Sequence, residues 1–115
     1  MKIAVLKKND RVLIERVELA VRLGQRMRGL LGRSSLGEGR ALCLFPCSSV
    51  HTFFMKFDLD LVFLDRDMQV KKIVIKVPPC RIVIGGIRSF SVLELESGWF
   101  PQHALSVGDR VSLCE

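Results

Sequence analysis

Leu59-Asp60-Leu61-Val62-Phe63-Leu64-Asp65-Arg66-Asp67-Met68-Gln69-Val70-Lys71-Lys72-Ile73-Val74-Ile75-Lys76-Val77 is the stretch on which the fold turns. Past Asp60 the first segment is apolar on both faces of an extended chain, which places residues 59–64 in the middle of a sheet covered on both sides. Asp65-Arg66-Asp67 reads as a turn. The segment from Gln69 to Val77 is rich in β-branched residues, which suit a pleated surface and lose rotamer freedom in a helix. Pro78-Pro79 ends that strand, because proline brings no N–H to a ladder.

The same pattern runs outward in both directions. Residues 3–6 and 12–17 flank Lys8-Asn9-Asp10, and an Asn-Asp pair tolerates the left-handed backbone of a tight turn, so these segments read as a hairpin. Residues 41–45 form a buried strand stopped by Pro46, and residues 50–55 a second. Residues 81–84 extend the pairing. Gly85-Gly86 forces a turn or bulge before the strand at residues 91–96, and Ser106-Val107-Gly108-Asp109 turns the chain into a last strand at residues 110–114. Apolar residues recur at Leu19, Leu23, Met27, Leu30 and Leu31 with arginines between them, which predicts one α-helix over residues 19–32. With no strand–helix–strand alternation, a parallel α/β sheet is not expected. The prediction is a mainly β fold: a β-sandwich or partly closed barrel of about eight short strands with one helix, built as a single β domain over residues 1–115.

The 115 residues are 49% hydrophobic and 26% charged, which excludes a disordered chain. The longest uncharged run, residues 41–55, contains Pro46, two Cys, two Ser and His51, so no membrane span is expected. Lys2 is followed by only four apolar residues before charge returns, too few for a secretory core. A cytoplasmic location with four reduced cysteines follows.

The net charge of +6 is uneven: residues 1–40 hold ten Lys or Arg against four Asp or Glu, and the remainder holds eight of each. Arg22, Arg26 and Arg33 make a candidate patch for nucleic acid or another anionic surface, and a solvated helix face is the plainer reading.

A site is expected where polar residues interrupt core sequence, because such groups must find partners. His51, Thr52 and Asp60 do so within the run from Val50 to Asp65. Arg28 on the helix would add a charged fork, Thr52 and Asp60 orienting hydrogen bonds, and His51 a titratable contact. Cys43, Cys47 and His51 recur every four residues. Pro46 denies them a helix, however, and Cys80 and Cys114 stand alone, so neither a metal nor another cofactor is expected.

Several blocks in order carry a resemblance: Arg28-Gly29-Leu30-Leu31-Gly32-Arg33, Leu44-Phe45, His51-Thr52-Phe53-Phe54-Met55, residues 59–65, Val92-Leu93-Glu94-Leu95 with Gly98, and Gly108-Asp109. Together, over roughly residues 18–113, they resemble the prokaryotic family catalogued as domain of unknown function 192. The resemblance implies a compact β-sandwich-like domain with one helix in its first half, and no established activity. Members often carry a leader before the domain, and many place a Trp before the motif methionine, where Phe54 stands here.

The function expected is a non-catalytic binding module, monomeric or weakly dimeric. Its partner would be a small polar or anionic ligand, or a protein, held at the segment from His51 to Asp60. The alternatives are a hydrolase or lyase with His51 as general base and Asp60 as its orienter, and nucleic-acid or anionic-surface binding through the basic helix.

Overall fold

Pleat alternation and one short helix build a curled sheet with a ribbon laid over it. The computed structural model describes residues 2–30, 32–101 and 103–115, with the side chains of Leu23, Met27 and Arg28 left out of the description. In chain order the elements are β1 (Lys2–Lys8), β2 (Arg11–Ala20), α1 (Leu23–Arg28), β3 (Arg40–Leu44), β4 (Ser49–His51), β5 (Leu59–Leu64), β6 (Val70–Val77), β7 (Ile82–Ile84), β8 (Ser91–Glu96) and β9 (Ser112–Cys114).

Seven strands form one sheet in the order β6-β5-β8-β3-β2-β1-β9, and β4 pairs with β7 in a second, two-stranded sheet. The large sheet curls until its ends meet. Val70 donates to the Asp109 carbonyl at 2.7 Å, Gly108 to Val70 at 2.8 Å and Val111 to Met68 at 3.0 Å, so the start of β6 closes against the segment leading into β9. The result is a half-barrel plus a ribbon, with the mainly β class as expected.

Two cores follow from the side-chain period of two. One face holds Ala41, Cys43, Val62, Leu64, Leu93 and Leu95 inside the curl, with Leu6, Val70 and Val111 from the closing strands. The other holds Leu42, Leu44, Leu59, Leu61, Phe63 and Val92, roofed by Leu30, Leu36, Val50 and Met55. β5 lies between β6 and β8 and is buried along its whole length, as its two-sided apolar sequence requires.

Three expectations are corrected. The helix covers Leu23–Arg28 and not residues 19–32. Leu19 and Ala20 belong to β2, where they pair in parallel with Cys43 and Leu44 of β3, and burial in that ladder overrides the helical spacing. The path β2–α1–β3 is therefore a strand–helix–strand crossover, a unit the sequence did not announce because the apparent helical period ran through the end of β2. The strand expected at residues 50–55 stops at His51: Phe54 adopts φ 65°, a left-handed conformation incompatible with a ladder.

Candidate functional site

On β8 the pleat puts Val92 and Glu94 on one face and Leu93 and Leu95 on the other. Glu94 pairs with Leu42 of β3 and Leu61 of β5, and both neighbours belong to the apolar cluster beneath α1 and β4. It is only 6% exposed. Among the described residues its carboxylate makes no hydrogen bond or ion pair. Burial pushes the carboxyl up from 4.5 to about 7, because the charged form loses its contact with water.

Glu94 is buried but not sealed. A recess of about 80 Å³ opens between the end of α1 and β4, and Glu94 lines it with Arg26, Gly29, Cys47, Ser49 and His51 against apolar walls from Leu30, Leu44, Val50 and Met55. Gly29 ends α1 with φ 50°, and its N–H bonds back to the Gln25 carbonyl at 2.9 Å. A Cβ at Gly29 would stand 3.7 Å from Glu94 Oε1, so the helix terminus sits directly over the carboxylate. Cys43 is buried next to the site; burial first, then Cys47 and Glu94, push its thiol up to about 12. Cys47 is raised by burial and by Glu94, against the opposing pull of Ser49 and Arg26. Neither thiol is an activated nucleophile. Wider cavities exist, of which the groove between the β1–β2 turn and residues 100–104 reaches about 610 Å³, but no buried carboxylate lines it.

The residues expected to share a site are distributed differently. His51 lines the recess, with its ring stacked on Phe53 at 5.5 Å between centroids. Thr52 is fully buried, and its hydroxyl is consumed locally: it donates to the Pro78 carbonyl at 2.7 Å and accepts the Arg81 N–H at 2.9 Å, clasping residues 78–81 to the end of β4. Asp60 is on the opposite face of the sheet from the recess, at the mouth of the curl with Val62, Leu95, Phe100 and Leu105. Its Oδ1 accepts the Lys76 N–H at 3.0 Å where β5 and β6 slip register. His51 and Asp60 therefore do not converge. Arg28 is the last residue of α1, beside Gly29; its side chain lies outside the described residues.

The arginine patch is partly engaged. Arg33 pairs with Glu18 at 2.8 Å, Arg26 donates to the Val21 and Pro46 carbonyls at 3.1 Å each, and Arg22 is exposed. The four cysteines are unpaired, and among the described residues no group of three or more His, Cys, Asp or Glu is arranged to hold a metal.

Glu94 is the residue that sequence reasoning passed over. Alternation with Leu93 and Leu95 makes it look like the wet side of a half-exposed strand, and it is the cover of α1 and β4 over that face of the sheet that buries it.

Fold and recess together define a small, mainly β half-barrel protein with a carboxylate sunk beneath the short helix α1. The chain belongs to the family DUF192, described as uncharacterized ACR, whose model matches residues 4–113. Its fold is similar to a protein of unknown function from Novosphingobium aromaticivorans DSM 12444, with a TM-score of 0.81 at 21% identity over 96% of this chain and 83% of that one. It is also similar to a "putative transcription regulator" from Sinorhizobium meliloti 1021, with a TM-score of 0.80 at 23% identity over 96% of this chain and 92% of that one. At such identities the likeness is one of fold. No curated protein matches the chain.

Proposed function

We propose that the chain is a single-domain, non-catalytic binding module that takes a small polar ligand in the recess over Glu94. The observation that carries this reading is a carboxylate on a central strand, 6% exposed, without an internal partner among the described residues and open to a recess. Keeping such a group destabilises the free fold, and a ligand that donates hydrogen bonds to it removes the cost. The complementary ligand carries an ammonium, amide or hydroxyl end for Glu94 and an apolar body for the wall of Leu44, Val50 and Met55. His51 and Ser49 contact it at the rim. An anionic end of the ligand belongs at the guanidinium group of Arg26, which also lines the recess. The unpaired cysteines suit a reducing compartment such as the cytoplasm.

Thermal shift with methylammonium, ethanolamine, acetamide and acetate tests the reading, since a ligand that prefers the folded form raises its melting point. The expected pattern is a rise with the donor-bearing probes that Glu94→Gln abolishes and His51→Ala reduces. A panel without effect on the wild type, or a rise that survives Glu94→Gln, overturns it.

A further inference from the structure

β4 and β7 lie over the outer core with one face turned inward and the other to solvent. Val50 and Val83 pair across the ladder and face the core. His51 pairs with Ile82 and Ser49 with Ile84, and all four are exposed, Ile82 and Ile84 at 65% each. Thr52 N–H bonds to the Arg81 carbonyl, so the turn after β4 lies at the Ile82 end of the ribbon; there Phe54 is 84% exposed. Beyond Ile84, at the opposite end, Ile87 stands fully in solvent at 101%. Four large apolar side chains thus follow one ribbon from end to end. Single exposed apolar residues are ordinary, but a contiguous series marks a surface that something covers.

The charge around the series indicates what covers it. Between Asp67 and Glu94 the sequence carries five Lys or Arg and no Asp or Glu. Lys72 Nζ donates to the Ile84 carbonyl at 2.7 Å, Arg81 precedes Ile82 and Arg88 follows Ile87, so exposed cations flank the apolar line. The carboxylates nearby are fewer: Asp65 and Asp67 share a shallow depression with Ile87 and Arg88, with Asp65 drawn to Lys71 at 3.7 Å, Asp58 is exposed four residues after Phe54, and Glu94 is buried behind the ribbon. Protruding isoleucines are a poor fit to the backbone of a nucleic acid, which recruits stacking aromatics and phosphate contacts. Apolar side chains bordered by Lys and Arg match the boundary between acyl chains and acidic headgroups.

We propose that the β4–β7 ribbon is a docking face for an anionic phospholipid bilayer, with Phe54, Ile82, Ile84 and Ile87 entering the interface and Lys72, Arg81 and Arg88 meeting the headgroups. Attachment is peripheral and reversible, since the apolar area is that of a few side chains and each cation adds a salt-screened contribution.

Co-sedimentation of the full chain with vesicles of phosphatidylcholine alone, and of phosphatidylcholine mixed with phosphatidylglycerol, tests the proposal. The expected result is binding to the mixed vesicles only, weakening with salt. Arg81→Gln and Arg88→Gln should each cost about fivefold. Ile84→Asp and Ile87→Asp should reduce binding at least about tenfold with unchanged melting curves, because both side chains already face water in the free protein. Failure to bind the mixed vesicles, or binding that both Asp variants retain, overturns it. So does concentration-dependent self-association in light scattering that Ile87→Asp abolishes without any vesicle binding, which would make a second copy of this chain the occupant.

Discussion

Glu94 shows how one residue sets a pH dependence. Its carboxyl sits at about 7 in the folded chain against 4.5 unfolded, so between those values the native state holds the extra proton and stability falls as pH rises. The full difference corresponds to about 3 kcal/mol lost between acid and mildly alkaline solution, as an order of magnitude. Glu94→Gln removes the titration, so its urea midpoint should stay level from pH 5 to pH 8, about, where that of the wild type declines. At alkaline pH the variant should be the more stable protein. Gly85 makes the opposite kind of demand. It is buried against β5, and a Cβ there would run into the Phe63 ring and the Ser89 hydroxyl. Gly85→Ala should lower stability by about 1–3 kcal/mol through overpacking, read as a shift of the denaturation midpoint at constant slope.

Elements here are joined by side chains that look functional in the sequence. Asp60 ties β5 to β6 at a bulge: Leu59 pairs with Val77 and Leu61 with Val74, so the ladder slips by one residue, and Lys76 takes φ 53° with its N–H on the Asp60 carboxylate. Asp60→Ala leaves that N–H without its partner and should cost about 1–3 kcal/mol, with amide exchange at Lys76 speeding up before that of the central strands. Thr52 serves the loop at residues 78–81 in the same way. The hairpin was legible because its code is local: Asn9 and Asp10 both adopt positive φ, at 52° and 63°, the geometry a two-residue turn between twisted strands requires. The helix was not, because Leu19 and Ala20 satisfy a helical spacing and a buried strand equally well, and the parallel ladder with β3 settled the choice.

At the scale of the molecule, the curl depends on a short closing seam. Lys8 Nζ lies 2.8 Å from Asp109 Oδ2, and the same oxygen accepts the Ser106 N–H at 2.8 Å, which fixes the turn whose backbone pairs with the start of β6. The Lys8 ammonium and that N–H hold the Asp109 carboxyl below its ordinary value. A depressed carboxylate stabilises above its unfolded pKa, and the contribution is lost as pH falls through the folded one. Asp109→Asn should therefore be less stable than wild type near neutrality, with the difference vanishing in acid. Urea titrations at the two extremes measure this. Glu94 and Asp109 titrate in opposite senses, so the double variant should show the flattest profile of all.

What the sequence by itself determined is the set of strands whose signals are local. The continuous apolar run at residues 61–64 marked a two-sided burial, β-branching marked β6, the strand at residues 91–96 was legible to its boundaries, and Pro46, Pro78 and Pro79 marked where pairing stops. The polar residues within that apolar sequence also gave themselves away, but not their partners. Tertiary structure alone decided that the ribbon carrying His51 and the carboxylate of Asp60 lie on opposite sides of the large sheet, that Glu94 is sunk under a glycine-capped helix end, and that Ile82, Ile84 and Ile87 stay outside. The physical reason is that a strand's periodicity states which residues share a face, while burial of that face depends on neighbours brought from distant parts of the chain.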